Sequence, residues 1–158
     1  MKVSTRGDYA SRALLSLALH LGEEGPTSVR DIAERTGLPQ PYLEQILLAV
    51  KGAGLVRSKR GVGGGYVLAR PPEEISLADI LAAVDGPLIT LMEEHDHCEG
   101  HCVLQEVWVG VSDEMRLYLE GYTLADLVAR TQIGHPPGGV STTAEQPPRV
   151  QAVVATDS

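Results

Sequence analysis

The densest chemistry in this 158-residue chain lies in Met92–Cys102, MEEHDHCEGHC, which packs three histidines, two cysteines and four carboxylates into eleven residues. Cys98 and Cys102 are the chain's two cysteines, spaced i, i+4, with His101 between them and His95 and His97 just upstream. Thiolate and imidazole donors together suit a soft or borderline metal ion. The spacing is not Cys-x-x-Cys and no βαβ pattern surrounds it, which argues against thioredoxin-type disulfide exchange. A Cys-x3-Cys pair is a weak signal taken alone, so a metal site, a thiol switch and a solvated acidic connector with two idle thiols all stay open.

A second stretch carries recognition chemistry. In Leu38–Pro71, Leu43, Ile46, Leu47 and Val50 fall at i, i+3, i+4 and i+7, the spacing of one apolar helix face, while Pro41, Gln45 and Gly52 face away. Pro41 suits the first helical turn, and Gly52 with Gly54 suits the helix end. Two strand-like pieces follow, Leu55–Lys59 and Tyr66–Ala69, around the tip Arg60-Gly61-Val62-Gly63-Gly64-Gly65. Upstream, Ser28 stands three residues before Asp31, a capping-box arrangement opening a short helix to Thr36, and Gly37 supplies the bend. Two short helices joined by a tight Gly-containing turn and followed by a hairpin predict a winged helix-turn-helix.

The elements that must hold these stretches can be read from periodicity and caps. Thr5–Leu21 repeats Tyr9, Ala13, Leu17 and Leu21 at four-residue steps, with Leu14 and Ala18 beside them, and predicts a core helix under the helix-turn-helix. Ser76 caps a helix over Leu77–Val84 that stops at Asp85-Gly86-Pro87. From Val103, the residues Leu104, Val107, Trp108, Val111, Met115, Tyr118, Leu119 and Tyr122 keep a helical period for five turns. A helix of about 17 residues is roughly 25 Å long. Its stripe needs a partner, and the expected one is the same helix of a second chain, the alternative being a fold-back onto its own domain. Leu104, Val107, Trp108, Val111, Met115 and Leu119 are the expected dimer interface. Thr123 and Asp126 then cap a last helix, Leu124–Arg130.

These elements divide the chain into a winged helix-turn-helix domain (1–87), a candidate sensor loop (88–103), a dimerisation helix with a short terminal helix (104–131), and a tail (132–158) whose Pro, Gly, Ser and Thr content predicts disorder. The fold class expected is mainly α with a small β-wing.

Composition bounds the function. With 43% hydrophobic residues, no Phe and one Trp, the chain can bury one aliphatic core. The N-terminal stretch lacks a signal-peptide cleavage region and is too short and too polar on one face to cross a bilayer, so a cytoplasmic protein without a membrane partner is expected. The net charge of −8 is unevenly placed: residues 1–70 carry ten Lys/Arg against six Asp/Glu, and residues 71–158 carry three against fifteen. Positive charge thus travels with the helix-turn-helix and wing, where phosphate contacts would fall. No nucleophile, base and orienting third group can be assembled from the motifs, so an enzyme is not expected.

In order along residues 1–131, the segments MKVSTRGDYASRALLSLALH, PYLEQIL, RGVGGGYVLARP, ISLADILAAVDGP, CVLQEVW and YTLADLV resemble the Rrf2-type bacterial regulators, whose branches serve iron–sulfur assembly, nitric oxide response and cysteine metabolism. The resemblance implies a homodimeric winged-helix transcription factor, crossed through its long helix, on double-stranded promoter DNA. It implies that Tyr42, Glu44 and Gln45 contact bases and that Arg60, beside Lys59 on the wing, enters the minor groove. Gln can pair with adenine, Glu can accept from cytosine, and Arg suits a narrow minor groove. Cluster-binding members carry three cysteines in the loop. Here Cys102 matches the last and Cys98 the second, across a shorter gap, while Met92 stands where the first is expected. Gln105 replaces a histidine ligand of one branch, and Asp8 matches a carboxylate ligand of another. A [2Fe–2S] cluster on Cys98, Cys102, a histidine such as His101, and Asp8 of the other subunit is one reading, since imidazole can replace thiolate at such clusters. Zinc, a bare thiol switch, or no ligand are the others. The function expected is a DNA-binding regulator, a repressor, sensing iron–sulfur, redox or metal status. The alternative is a winged-helix protein-interaction module, for which the cationic wing has no use.

Overall fold

A computed structural model describes residues 3–23, 25–86 and 101–134. Six helices and one hairpin follow in the order α1 (Thr5–Leu19), α2 (Val29–Thr36), α3 (Gln40–Gly52), β1 (Val56–Lys59), β2 (Gly65–Leu68), α4 (Leu77–Asp85), α5 (His101–Glu120) and α6 (Leu124–Ile133). The architecture is mainly α with a small β-wing, as the sequence predicts.

Local chemistry sets most boundaries. The Ser4 side chain accepts from the Gly7 N–H to open α1, and the Ser28 hydroxyl accepts from the Asp31 N–H to open α2. Gly37 ends α2 in the left-handed region at φ +69°, a conformation that costs glycine no Cβ clash, and so turns the chain into α3. α1 stops at Leu19 rather than Leu21. The His20 ring binds the Ser16 carbonyl at 2.8 Å, the helix is closed there, and Leu21, expected in the core stripe, is 55% exposed.

One core unites the layers. Ala10, Ala13, Leu14 and Leu17 of α1, Ile32 of α2, Leu43, Ile46, Leu47 and Val50 of α3, and Ile80 of α4 are all buried in it. Its reach crosses the boundary expected at residue 87, because Leu124 of α6 is fully buried in the same cluster. The return of α6 is fixed by two capping boxes placed back to back. Ser76 with Asp79 caps α4, and Thr123 with Asp126 caps α6. An antiparallel bridge then joins Ser76 to Thr123 through Leu77 N–H to the Tyr122 carbonyl (2.9 Å) and Leu124 N–H to the Ile75 carbonyl (2.8 Å). α6 runs to Ile133, two residues into the segment whose composition predicts disorder.

α1 and α4 touch closely at Gly7. A Cβ there would collide with Leu81 and with the Asp85 carboxylate, which also accepts the Ser4 hydroxyl. The last turn of α4 is thereby tied to the first turn of α1.

Candidate nucleic-acid interface

α3 divides by periodicity into two faces. Leu43, Ile46, Leu47 and Val50 are buried, while Tyr42, Glu44, Gln45 and Leu48 are exposed, Tyr42 at 57%. Pro39 is the N-cap and gives no side-chain cap, and Pro41 lies at the start of the helix. The first turn is held instead by the buried Leu43 and by an edge-to-face contact of Tyr42 with Tyr9 of α1, with ring centroids 6.4 Å apart at 85°. Gln40 donates to Glu44 at 3.3 Å, so Glu44 is oriented along the helix surface.

The wing is stiffer than a bare hairpin. β1 and β2 pair antiparallel with Val56 opposite Leu68 and Lys59 opposite Gly65. Thr27 adds a third edge, donating to the Tyr66 carbonyl at 3.0 Å and accepting the Tyr66 N–H at 2.8 Å. Gly65 is required at this crossing, because any Cβ would run into the Thr27 backbone. Lys59 and Arg60 are exposed at the tip, as is Arg57 two residues back. Strand alternation places Arg57 and Lys59 on one face of the ribbon. None of these three cations forms an ion pair among the described residues. Arg57 was missed in the sequence reading, although the period-2 alternation Val56-in, Arg57-out would have found it.

The candidate metal residues are only partly visible. Cys98, His95, His97 and Met92 lie outside the described residues. His101 and Cys102 begin α5, without described side chains. Asp8 sits half-exposed in the first turn of α1 and pairs with Arg12 at 2.9 Å. Among the described residues no group of three or more His, Cys, Asp or Glu side chains could hold a metal ion.

α5 is 20 residues long, about 30 Å. Its apolar stripe splits. Val111, Met115 and Leu119 are half-buried, whereas Leu104, Val107 and Trp108 are 57%, 54% and 50% exposed. At the far end Tyr118 and Tyr122 bring their hydroxyls to 3.3 Å, which raises the Tyr118 pKa, and Arg130 of α6 lies 4.9 Å above the Tyr122 ring. No described helix is long and apolar enough to cross a membrane.

A helix-turn-helix with an exposed polar face, followed by a hairpin whose cations are unpaired among the described residues, defines a winged helix-turn-helix, an architecture suited to DNA. Residues 3–130 match the family described as Rrf2, iron-dependent transcriptional regulator. The chain belongs to the Rrf2 family of transcriptional regulators, and it is not an enzyme. It is 37% identical over 136 residues to the HTH-type transcriptional regulator IscR of Aliivibrio salmonicida, covering 84% of this chain and 80% of that protein. The structure of CymR, the global cysteine regulator of B. subtilis, superposes with a TM-score of 0.69 at 37% identity, covering 82% of this chain and 98% of that one. That of T. potens IscR superposes with a TM-score of 0.69 at 40% identity, covering 87% and 94%.

Proposed function

We propose that two copies of this chain, joined along α5, bind promoter DNA in the cytoplasm and repress transcription. α3 enters the major groove with Tyr42, Glu44 and Gln45 toward base edges, while Arg60, flanked by Lys59, reaches the minor groove. The observation that carries this reading is the pairing of an exposed polar α3 face with unpaired wing cations on one body, within a chain of net charge −8. Local positive charge against a negative whole is what phosphate binding requires and what an interaction module does not. The dimer reading is supported by the exposed Leu104, Val107 and Trp108, an apolar patch in the N-terminal half of a long helix.

The test is a salt-titrated binding assay on duplexes selected by the protein from a random-sequence library. Specific binding should weaken linearly on a log–log salt plot. Arg60→Ala should cost about 1–3 kcal/mol on the selected duplex and leave the dimer intact. Salt-independent binding, or no selected duplex at all, favours the protein-interaction module.

The same reading makes the Cys98–Cys102 loop the sensor. The donor chemistry is adequate for a [2Fe–2S] cluster: two thiolates, neighbouring imidazoles such as His101, and the half-exposed carboxylate of Asp8 supplied by the other copy of the chain. Such a group supplies a redox-sensitive charge when bound. The protein's own part is to hold α4 against α1 at Gly7, so that ordering near Asp8 is felt by the helix on which α3 packs. Wild type and the Cys98→Ala, Cys102→Ala double variant, prepared without oxygen, are compared for iron, zinc, visible absorption and promoter affinity. Equal metal content and equal affinity reduce the loop to a connector.

A further inference from the structure

We infer that Tyr9 of α1 is a positioning residue for base reading, acting through its edge-to-face contact with Tyr42. This rests on the proposed reading of Tyr42 as a major-groove contact. Three observations meet at the pair. The first turn of α3 has no side-chain cap, since its N-cap is Pro39. The Tyr42 backbone is fixed by its N–H to the Pro39 carbonyl at 3.1 Å, but its side chain is more than half exposed and makes no hydrogen bond among the described residues, so no polar partner orients the ring. Tyr9, half-buried and packed against the core, presents its ring to Tyr42 at 6.4 Å and 85°, the T-shaped arrangement that aromatic quadrupoles favour.

A ring held before binding loses less freedom on binding. Recognition-helix residues near the N-terminus are those that reach base edges, so an orienting contact at this turn acts where discrimination is made. Tyr9 is packed against the core, and its ring meets the recognition helix at Tyr42. The contact is made by the ring, so Phe at position 9 should serve and Leu should not.

The experiment is a double-mutant cycle on the full-length protein, using a selected duplex and a scrambled duplex of equal length and composition. Tyr9→Leu should weaken the selected duplex by about threefold to tenfold, the range of an aromatic pair, and leave the scrambled duplex unchanged. Tyr9→Phe should keep the wild-type ratio of the two affinities. In a Tyr42→Leu background, Tyr9→Leu should add nothing. If Tyr42→Leu alone leaves the selected duplex unaffected, the base-reading role of Tyr42 is wrong and the coupling falls with it. If Tyr42→Leu weakens binding but the Tyr9→Leu loss is additive, or equal on both duplexes, the coupling alone is overturned. Should Tyr9→Leu not fold, fluorotyrosine-labelled wild type decides: the Tyr9 resonance, assigned by its absence in Tyr9→Phe, should shift in Tyr42→Leu and on binding the selected duplex. A resonance that stays fixed in both overturns the inference.

Discussion

The winged-helix body and α5 solve the problem of apolar burial in opposite ways. In the body, each amphipathic element finds its partner within the chain: Leu43, Ile46, Leu47 and Val50 of α3 share one buried cluster with Leu14 and Ile32 and are essentially inaccessible to water. In α5, a helix of similar hydrophobic content leaves Leu104, Val107 and Trp108 about half exposed and covers Val111, Met115 and Leu119 only in part. The periodicity of the two stripes is alike, so periodicity shows that a face will be buried without showing by what. A stripe completed inside the chain makes a stability determinant, and one left open makes a binding surface.

The largest effect should come from the closed stripe. Ile46→Ala removes a side chain 1% exposed at the centre of the core and should cost about 2–5 kcal/mol in chemical denaturation. That loss should be independent of protein concentration if the body is self-sufficient. A loss that shrinks at high concentration would place part of the core's stability in the dimer.

The open stripe should behave the other way. Val107→Asp puts a carboxylate into the apolar patch, where pairing would desolvate it without a partner. Sedimentation should show monomers with an unchanged thermal midpoint, and promoter affinity should fall about a hundredfold as the two half-sites lose their linkage. A persisting dimer would assign the exposed half of α5 to solvent. Val111 is a poorer probe than the sequence suggests, since a change there also disturbs contacts within the chain.

A smaller effect isolates the wing from the body. Gly65→Ala forces a Cβ against the Thr27 backbone and should cost about 1–3 kcal/mol, the usual penalty of overpacking. Hydrogen exchange at the Tyr66 amide, which donates to Thr27 at 2.8 Å, should quicken while exchange in α3 stays slow. Equal quickening in both would mean that the wing and the body open together.

What was legible in the sequence follows the same division. Helix starts were readable because their causes are local: Ser28 before Asp31, Ser76 before Asp79 and Thr123 before Asp126 each announce a cap within three residues. The hairpin and its glycine tip were readable for the same reason. The pairing of Thr27 with Tyr66, the bridge of Ser76 with Thr123 and the contact of Tyr9 with Tyr42 were not, because each joins residues 33 or more positions apart whose local patterns carry no mark of the partner. The short 3-10 turn Pro72–Glu74 was also missed, since Pro71-Pro72 reads equally well as a plain strand end. Of the candidate site, residue types and exposure on α3 and the wing could be anticipated. The support beneath them, from Tyr9 and Thr27, could not.

The smallest effect tests the joint between the two regions. α6 is what fastens the far end of α5 to the body, through buried Leu124 and the Thr123–Asp126 capping box. Hydrogen bonds from the Thr123 backbone and hydroxyl, at 2.8 Å each, hold the Asp126 carboxylate below its ordinary pKa. A carboxylate whose folded pKa is depressed contributes stability above its unfolded pKa and loses it as pH falls through the folded one. Exposure of Asp126 to solvent keeps this contribution small. Thr123→Ala removes the N-cap hydroxyl and should cost about 1 kcal/mol near neutral pH. Asp126→Asn should flatten the decline in stability below the ordinary aspartate range without altering it at pH 7 by more than the lost cap bond. Because the clamp lies at the end of α5 remote from Leu104, both variants should remain dimeric. If either dissociates, the orientation of α5 is set by α6 rather than by the seam, and the division between a closed body and an open helix moves to residue 124.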